Sequence, residues 1–133
     1  MRNGIFDDAP VSIISQSTIA GIGSEAGMNL DRRRFRANIF LETHETTPFI
    51  EDDWIGGTLL FGNDTAKAAV RVTAHDVRCM IINLDPNTAE QDPRVLKTVV
   101  RLNKNTAGAY GVVVQTGTVR VGDDVRLVLE SQR

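Results

Sequence analysis

Tyr110-Gly111-Val112-Val113-Val114-Gln115 runs through Thr116-Gly117 into Thr118-Val119-Arg120-Val121, and Gly122-Asp123-Asp124 turns into Val125-Arg126-Leu127-Val128-Leu129. This stretch decides the fold class. β-branched residues dominate short runs, and glycine and aspartate punctuate them, which is the pattern of consecutive strands joined by tight turns. Working outward, the same grammar recurs. Val11-Ser12-Ile13-Ile14 follows Pro10, Asn38-Ile39-Phe40-Leu41 follows a basic segment, and Thr58-Leu59-Leu60-Phe61 lies between Gly56-Gly57 and the turn residues Gly62-Asn63-Asp64. Residues 66–73 alternate with Val70 and Val72 on one face, and Met80-Ile81-Ile82 reads as a short buried strand. Two segments break the pattern. Ser17 or Thr18 is placed to cap a helix that runs to Ala26 and stops at Gly27. Asp92 and Pro93 open a second helix, whose apolar stripe is Val95, Leu96, Val99, Val100 and Leu102. Six or seven short strands with two inserted helices predict a mainly β protein, a distorted β-barrel.

The chain has 133 residues, enough for one domain with a hydrophobic core. Residues 1–9 are polar and mixed and read as a flexible N-terminus; residues 10–133 read as a single barrel domain. A net charge of -2 argues against a nucleic-acid binder, which needs surplus Lys and Arg to neutralise phosphates. No apolar run approaches the ~20 residues of a membrane helix. The N-terminus lacks the basic-then-apolar layout of a signal peptide, and the single cysteine cannot form an internal disulfide, so the expected location is cytoplasmic.

Arg78-Cys79 is the most informative pair. A thiolate is a nucleophile and a soft metal ligand, and an adjacent guanidinium favours it when turned toward the sulfur. The competing reading is a buried cysteine that packs as a small hydrophobe. Arg32-Arg33-Arg34-Phe35-Arg36-Ala37-Asn38 concentrates four arginines beside an amide, which suits either an anionic heterocycle or a solvated charged loop. Glu51-Asp52-Asp53-Trp54 reads as a structural loop with a packed indole. His44-Glu45 and His75-Asp76 are adjacent pairs that point to opposite faces on a strand, and both read as structural. Gly21-Ile22-Gly23 lacks the third glycine and the lysine of a phosphate loop.

Taken in order, these segments resemble the MOSC domain, found at the C-terminus of molybdenum cofactor sulfurases and of mitochondrial amidoxime reducing components. Pro10-Val11-Ser12-Ile13-Ile14-Ser15 is similar to the family's opening strand, and Arg34-Phe35-Arg36-Ala37-Asn38 to its R-F-R-P/A-N motif. Glu51-Asp52-Asp53-Trp54 is similar to E-D-x-W, and Arg78-Cys79 with Asp85-Pro86-Asn87-Thr88 and Asp92 to R-C, D-P-x-T-G and D. Tyr110, Gly111, Gly117 and Val121-Gly122-Asp123 are similar to its ending. Ala89 stands where the family turn commonly has glycine.

The resemblance implies a distorted barrel and molybdenum cofactor (molybdopterin) chemistry. Cys79 would ligate molybdenum and serve as the catalytic residue, and Arg36 and Asn38 would hold the pterin. Arg78, Ser15, Thr18 and Tyr110 are carried over from their positions in matching segments. Three functions follow from the resemblance. One is a reductase component for N-oxygenated substrates, served by a separate electron-transfer protein. Another is a sulfur carrier that bears a persulfide on Cys79 and works with a sulfurtransferase. The third is a non-catalytic scaffold barrel. Many family members carry an additional N-terminal β-barrel domain that completes the cofactor pocket. This chain begins at the MOSC-like domain, by nature or as a fragment, and the expectation is a half-built site that binds the cofactor weakly, transiently or only with a partner.

Overall fold

The computed structural model describes residues 10–62 and 68–129. Along the described chain run β1 (Val11–Ser15), α1 (Gln16–Ala26), β2 (Ile39–Leu41), β3 (Gly57–Phe61), β4 (Ala69–Val77), α2 (Arg94–Asn103), β5 (Thr106–Gln115) and β6 (Val125–Leu129). Single 3-10 turns, η1 (Arg32–Phe35), η2 (Ile50–Trp54) and η3 (Met80–Asn83), sit in the connections. The expectations for residues 1–9 and for Asn63-Asp64 fall outside the described residues.

The strands form one sheet in the order β2-β1-β5-β4-β3-β6. Only β1 and β2 are parallel; every other pair is antiparallel. The β4–β5 ladder slips register between Ala69 and Val70, between Val72 and Ala74, and between His75 and Val77. Such irregularities bend a strand and increase its twist, and the sheet curls into a half-barrel, the distorted barrel read from the sequence.

Alternation along the strands separates two cores. Ile13, Leu59, Phe61, Val70, Val72 and Ala109 pack with Trp54 on the inner face. Ile14, Phe35, Ile82, Val95, Val99 and Ala107 pack with Ile19 and Ile22 of α1 on the other. Adjacent Ile13 and Ile14 are both fully buried because each face of β1 is covered.

The cap of helix α1 lies two to three residues before the expected Ser17 or Thr18. Ser15 is the N-cap, and its Oγ accepts from the Thr18 backbone N–H at 3.1 Å. Gly27 ends the helix at φ 71°, a left-handed conformation that glycine adopts without a Cβ clash. Two other expectations are corrected. Met80-Ile81-Ile82 is not a strand but the 3-10 turn η3, and only Ile82 of the three is buried. Residues 118–121 do not form a strand; they are exposed and outside every ladder, so their alternation reflects no buried face. The second helix forms as read, with Asp92 Oδ1 accepting from the Arg94 N–H at 3.0 Å, but Pro93 is its N-cap, and of the expected stripe Val95 and Val99 are buried, with Thr98, while Val100 is 50% exposed.

Candidate functional site

The site forms where β4 ends. Arg78 follows the last residue of β4, and its guanidinium turns inward rather than toward the neighbouring sulfur. Nε donates to the Ala107 carbonyl at 2.9 Å and Nη1 to the Phe35 carbonyl at 2.7 Å. Nη2 lies 3.0 Å from Asp76 Oδ2, yet it donates no aligned hydrogen bond there: the contact is a charge pair, and a buried N–H is left without an acceptor. The Phe35 ring lies under the guanidinium at 5.5 Å. Gly108, at φ 91°, makes room for this packing. A Cβ there would stand 2.7 Å from the Ile13 carbonyl and 3.5 Å from Arg78 Nη2.

Asp76 is 2% exposed. Burial pushes its carboxyl pKa up, against the pull of Arg78 and of the Tyr110 hydroxyl that bonds to it. Burial likewise pushes Arg78 down, against the attraction of Asp76. Both directions say that desolvation outweighs the pairing, so this pair costs folding energy. Costly buried charges of this kind concentrate at functional sites. Tyr110 is half-buried, and the Asp76 charge raises its phenol pKa, with a further contribution from Cys79.

Cys79 itself is exposed, which removes the reading of a core cysteine. It is the N-cap of η3, and its carbonyl accepts from the Ile82 N–H at 3.3 Å. Turn η1 is held against η3 by Arg34, which is 7% exposed and donates through Nη1 to the carbonyls of Ile82 and Asn83 at 3.3 and 3.0 Å. The arginine-rich segment therefore lies beside the cysteine turn. Arg33 pairs with Asp31 at 2.7 Å, and Arg32 covers Phe40. Arg36 is exposed at φ 52° and lines a cleft of about 200 Å³ with Arg33, Arg34, Ile81, Leu84 and Pro86. A neighbouring cleft of about 340 Å³ is lined by Arg34, Asp85, Glu90, Gln91 and Asp92.

Through its bond to the Phe35 carbonyl, Arg78 ties the end of β4 to η1, so Cys79 and Arg36 cap adjoining turns, but Cys79 lines neither cleft; Tyr110 pairs with Ala74 on β4. Asn38 is engaged elsewhere: its Oδ1 accepts from Ser12 N at 2.8 Å and Ser12 Oγ at 3.0 Å, fixing the start of β2 against β1. Ser15 and Thr18 are fully buried. Ser15 N and Thr18 Oγ1 both donate to Glu51 at 2.7 Å, and Thr18 Oγ1 accepts from Phe49 N at 2.8 Å. Glu51 is a fully buried carboxylate seated on the N-terminus of α1, where orphan N–H groups and the helix dipole favour negative charge. His75 and Asp76 do face opposite ways. His75 Nδ1 meets Asp52 Oδ1 at 3.1 Å on the η2 side, whereas Asp76 meets Arg78.

Asp76 is the site residue that sequence reasoning passed over. A carboxylate two residues before an arginine on a strand was the available signal, since i and i+2 share a face. Among the described residues, no group of three or more His, Cys, Asp or Glu is placed to hold a metal ion. No helix among them is long and apolar enough to cross a membrane.

Comparison with known proteins agrees with this architecture. The chain is 26% identical to human mitochondrial amidoxime-reducing component 1 over 135 residues, covering 92% of this chain and 38% of that protein. The chain therefore spans about two-fifths of the length of that relative. The crystal structure of YUAD protein from Bacillus subtilis superposes with a TM-score of 0.67 at 19% identity, over 88% of this chain and 62% of that one. YiiM from Geobacillus stearothermophilus gives 0.65 at 19% identity, over 89% of this chain and 53% of that one. The family model for the MOSC domain matches residues 2–126, and the chain belongs to the MOSC domain family.

Proposed function

We propose that this chain is a molybdenum-cofactor-binding module in which Cys79 is the metal ligand. Fed by a separate electron donor, it acts in the reduction of N-oxygenated substrates. The observation that carries the reading is the exposed thiol of Cys79, which follows Arg78 and caps η3, the turn whose Ile81 lines the cleft with Arg36. The residues present fit the group. A thiolate is the soft donor that a sulfur-rich metal centre takes, and the Arg36 fork suits an anionic heterocycle or its phosphate. The buried Arg78 Nη2 lacks an aligned acceptor, an unsatisfied donor at the end of β4, one residue before Cys79. When bound, the cofactor supplies two-electron redox chemistry at molybdenum. The chain's own residues do the rest: Cys79 binds, Arg36 orients, and Arg78 fixes the backbone of Phe35 and so the position of Arg36.

The similarity to an amidoxime-reducing component supports the substrate class. The same exposed thiol also suits a persulfide carrier, and one experiment separates the two. The protein is produced in a host that makes the cofactor, then subjected to elemental analysis and intact-mass measurement. Molybdenum near one atom per chain is expected. A mass increase of one sulfur atom without molybdenum would replace the proposal with sulfur carriage. Neither signal would leave a scaffold barrel.

A further inference from the structure

We propose that β6 is a dimer interface: it pairs antiparallel, about a two-fold axis at Val125, with β6 of a second copy of this chain. The sheet ends on two edges, β2 and β6. An edge strand presents unpaired N–H and C=O groups, and proteins blunt it with short length, proline, lysine or a bulge. β2 has only three residues. β6 has five, Val125-Arg126-Leu127-Val128-Leu129, paired with β3 residue for residue without a slip, and it holds neither proline nor lysine. Its surroundings are apolar as well. Val128 and Leu129 are exposed, as are Val119 and Val121 in the connection that leads into it. Residues 118–121 alternate like a half-buried strand, yet nothing among the described residues covers them. An exposed apolar cluster beside an open strand edge marks a surface on which another chain adds a strand.

The charges on this edge identify the occupant. Asp124 continues the line of β6 by one residue, since its carbonyl accepts from the Gly62 N–H at 2.8 Å. That bond also sets the alternation along the strand. Residues 124, 126 and 128 turn their backbone groups toward β3, so those of Val125, Leu127 and Leu129 face the open side. Asp124 and Arg126 are both exposed, and neither has an ion-pair partner among the described residues. Two residues apart on a strand, they share a face and flank Val125. With the axis at Val125, the two copies of that residue exchange both backbone hydrogen bonds. Arg126 of each copy then stands opposite Asp124 of the other, at the positions where cross-strand side chains come closest. Opposite charges placed there stabilise an antiparallel pair, and like charges destabilise it. The same register brings Leu129 level with the other copy's turn at Val121, apolar against apolar. A self-complementary patch of this kind is what a closed two-fold dimer requires.

Sedimentation velocity over a range of concentrations tests the interface, with circular dichroism to show that each variant folds. Wild type is expected to dimerise. Arg126→Asp and Asp124→Arg each set like charges opposite one another twice, and each should weaken dimerisation about tenfold or more. Mixed one to one, the two variants should associate again, because the doubly basic edge of one then faces the doubly acidic edge of the other. Mixing would not repair a structural defect at either position. A monomeric wild type, a dimer indifferent to both reversals, or variants that stay apart on mixing would each overturn the proposal. If a reversal does not fold, amide hydrogen exchange of wild type decides. The Val125 and Leu127 amides should lose protection on dilution, and exchange that does not change with concentration would overturn the pairing.

Discussion

Ala89 shows how much a single residue's backbone explains. It adopts φ 62° in the turn after Asp85-Pro86-Asn87-Thr88, with its N–H donated to the Asp85 carbonyl at 2.8 Å. A Cβ in the left-handed region is strained, which gives a physical reason for glycine in the corresponding turn of the family. Ala89→Gly is expected to stabilise the fold by about 0.5–1 kcal/mol, part of the relief being lost to a more flexible unfolded chain. Urea denaturation checks the sign; a destabilised variant would mean that the alanine methyl makes a packing contribution larger than its strain. Cys79 and Arg78 were legible at this scale because residue type alone carries their chemistry. The partner of Arg78 was not. Whether a guanidinium turns to the adjacent sulfur or to a carboxylate two residues back depends on which face is buried, and that is fixed only when β5, Phe35 and Ala107 close over it.

At the scale of elements, the helix α1 is anchored from 33 to 36 residues away. Glu51 takes hydrogen bonds from Ser15 N and Thr18 Oγ1, while Thr18 Oγ1 already accepts from Phe49 N. Both donors need an acceptor, so the near-isosteric Glu51→Gln places an NH₂ group against one of them. A loss of about 1.5–3 kcal/mol is expected, the range for a buried hydrogen bond to a charged group. Chemical denaturation measures it, and a change below about 0.5 kcal/mol would show that the carboxylate is not the anchor. The sequence announced helix α1 through its serines and Gly27, but placed the cap at Ser17 or Thr18. Three hydroxyl residues compete there, and the long-range carboxylate decides which one serves. Met80-Ile81-Ile82 misled for a different reason: a three-residue apolar run has no period long enough to separate a strand from a 3-10 turn.

For the whole molecule, the carboxylates with displaced pKa values fall into two groups with opposite pH behaviour. Asp31 and Asp92 are held at about 2, chiefly by hydrogen bonds from Arg33 and Arg94. Their folded pKa values lie below the unfolded value of 3.8, so they stabilise the fold above that value and lose the contribution as pH falls through about 2. Asp76 is raised by burial. Its ionised form is disfavoured by folding, so its penalty is absent in acid and grows as pH rises above 3.8 through the raised folded value. Carboxyl-carbon NMR titration should therefore place Asp31 and Asp92 on the acid side of 3.8 and Asp76 on the alkaline side. The reverse order for Asp76 would mean that Arg78, not burial, governs it. This cost sits beside the exposed thiol, in a half-barrel whose outline and motif order the sequence carried well.

The central claim is that the Cys79 sulfur holds the cofactor's metal. Cys79→Ser exchanges a soft thiolate for a hydroxyl at an exposed position, so the fold should be unaffected while the metal loses its ligand. The decisive measurement is molybdenum per chain in wild type and Cys79→Ser, produced side by side in a host that makes the cofactor, with circular dichroism to show that both fold. Substantial molybdenum in wild type and background in the variant is the predicted result. Equal, substantial molybdenum in both would contradict the account.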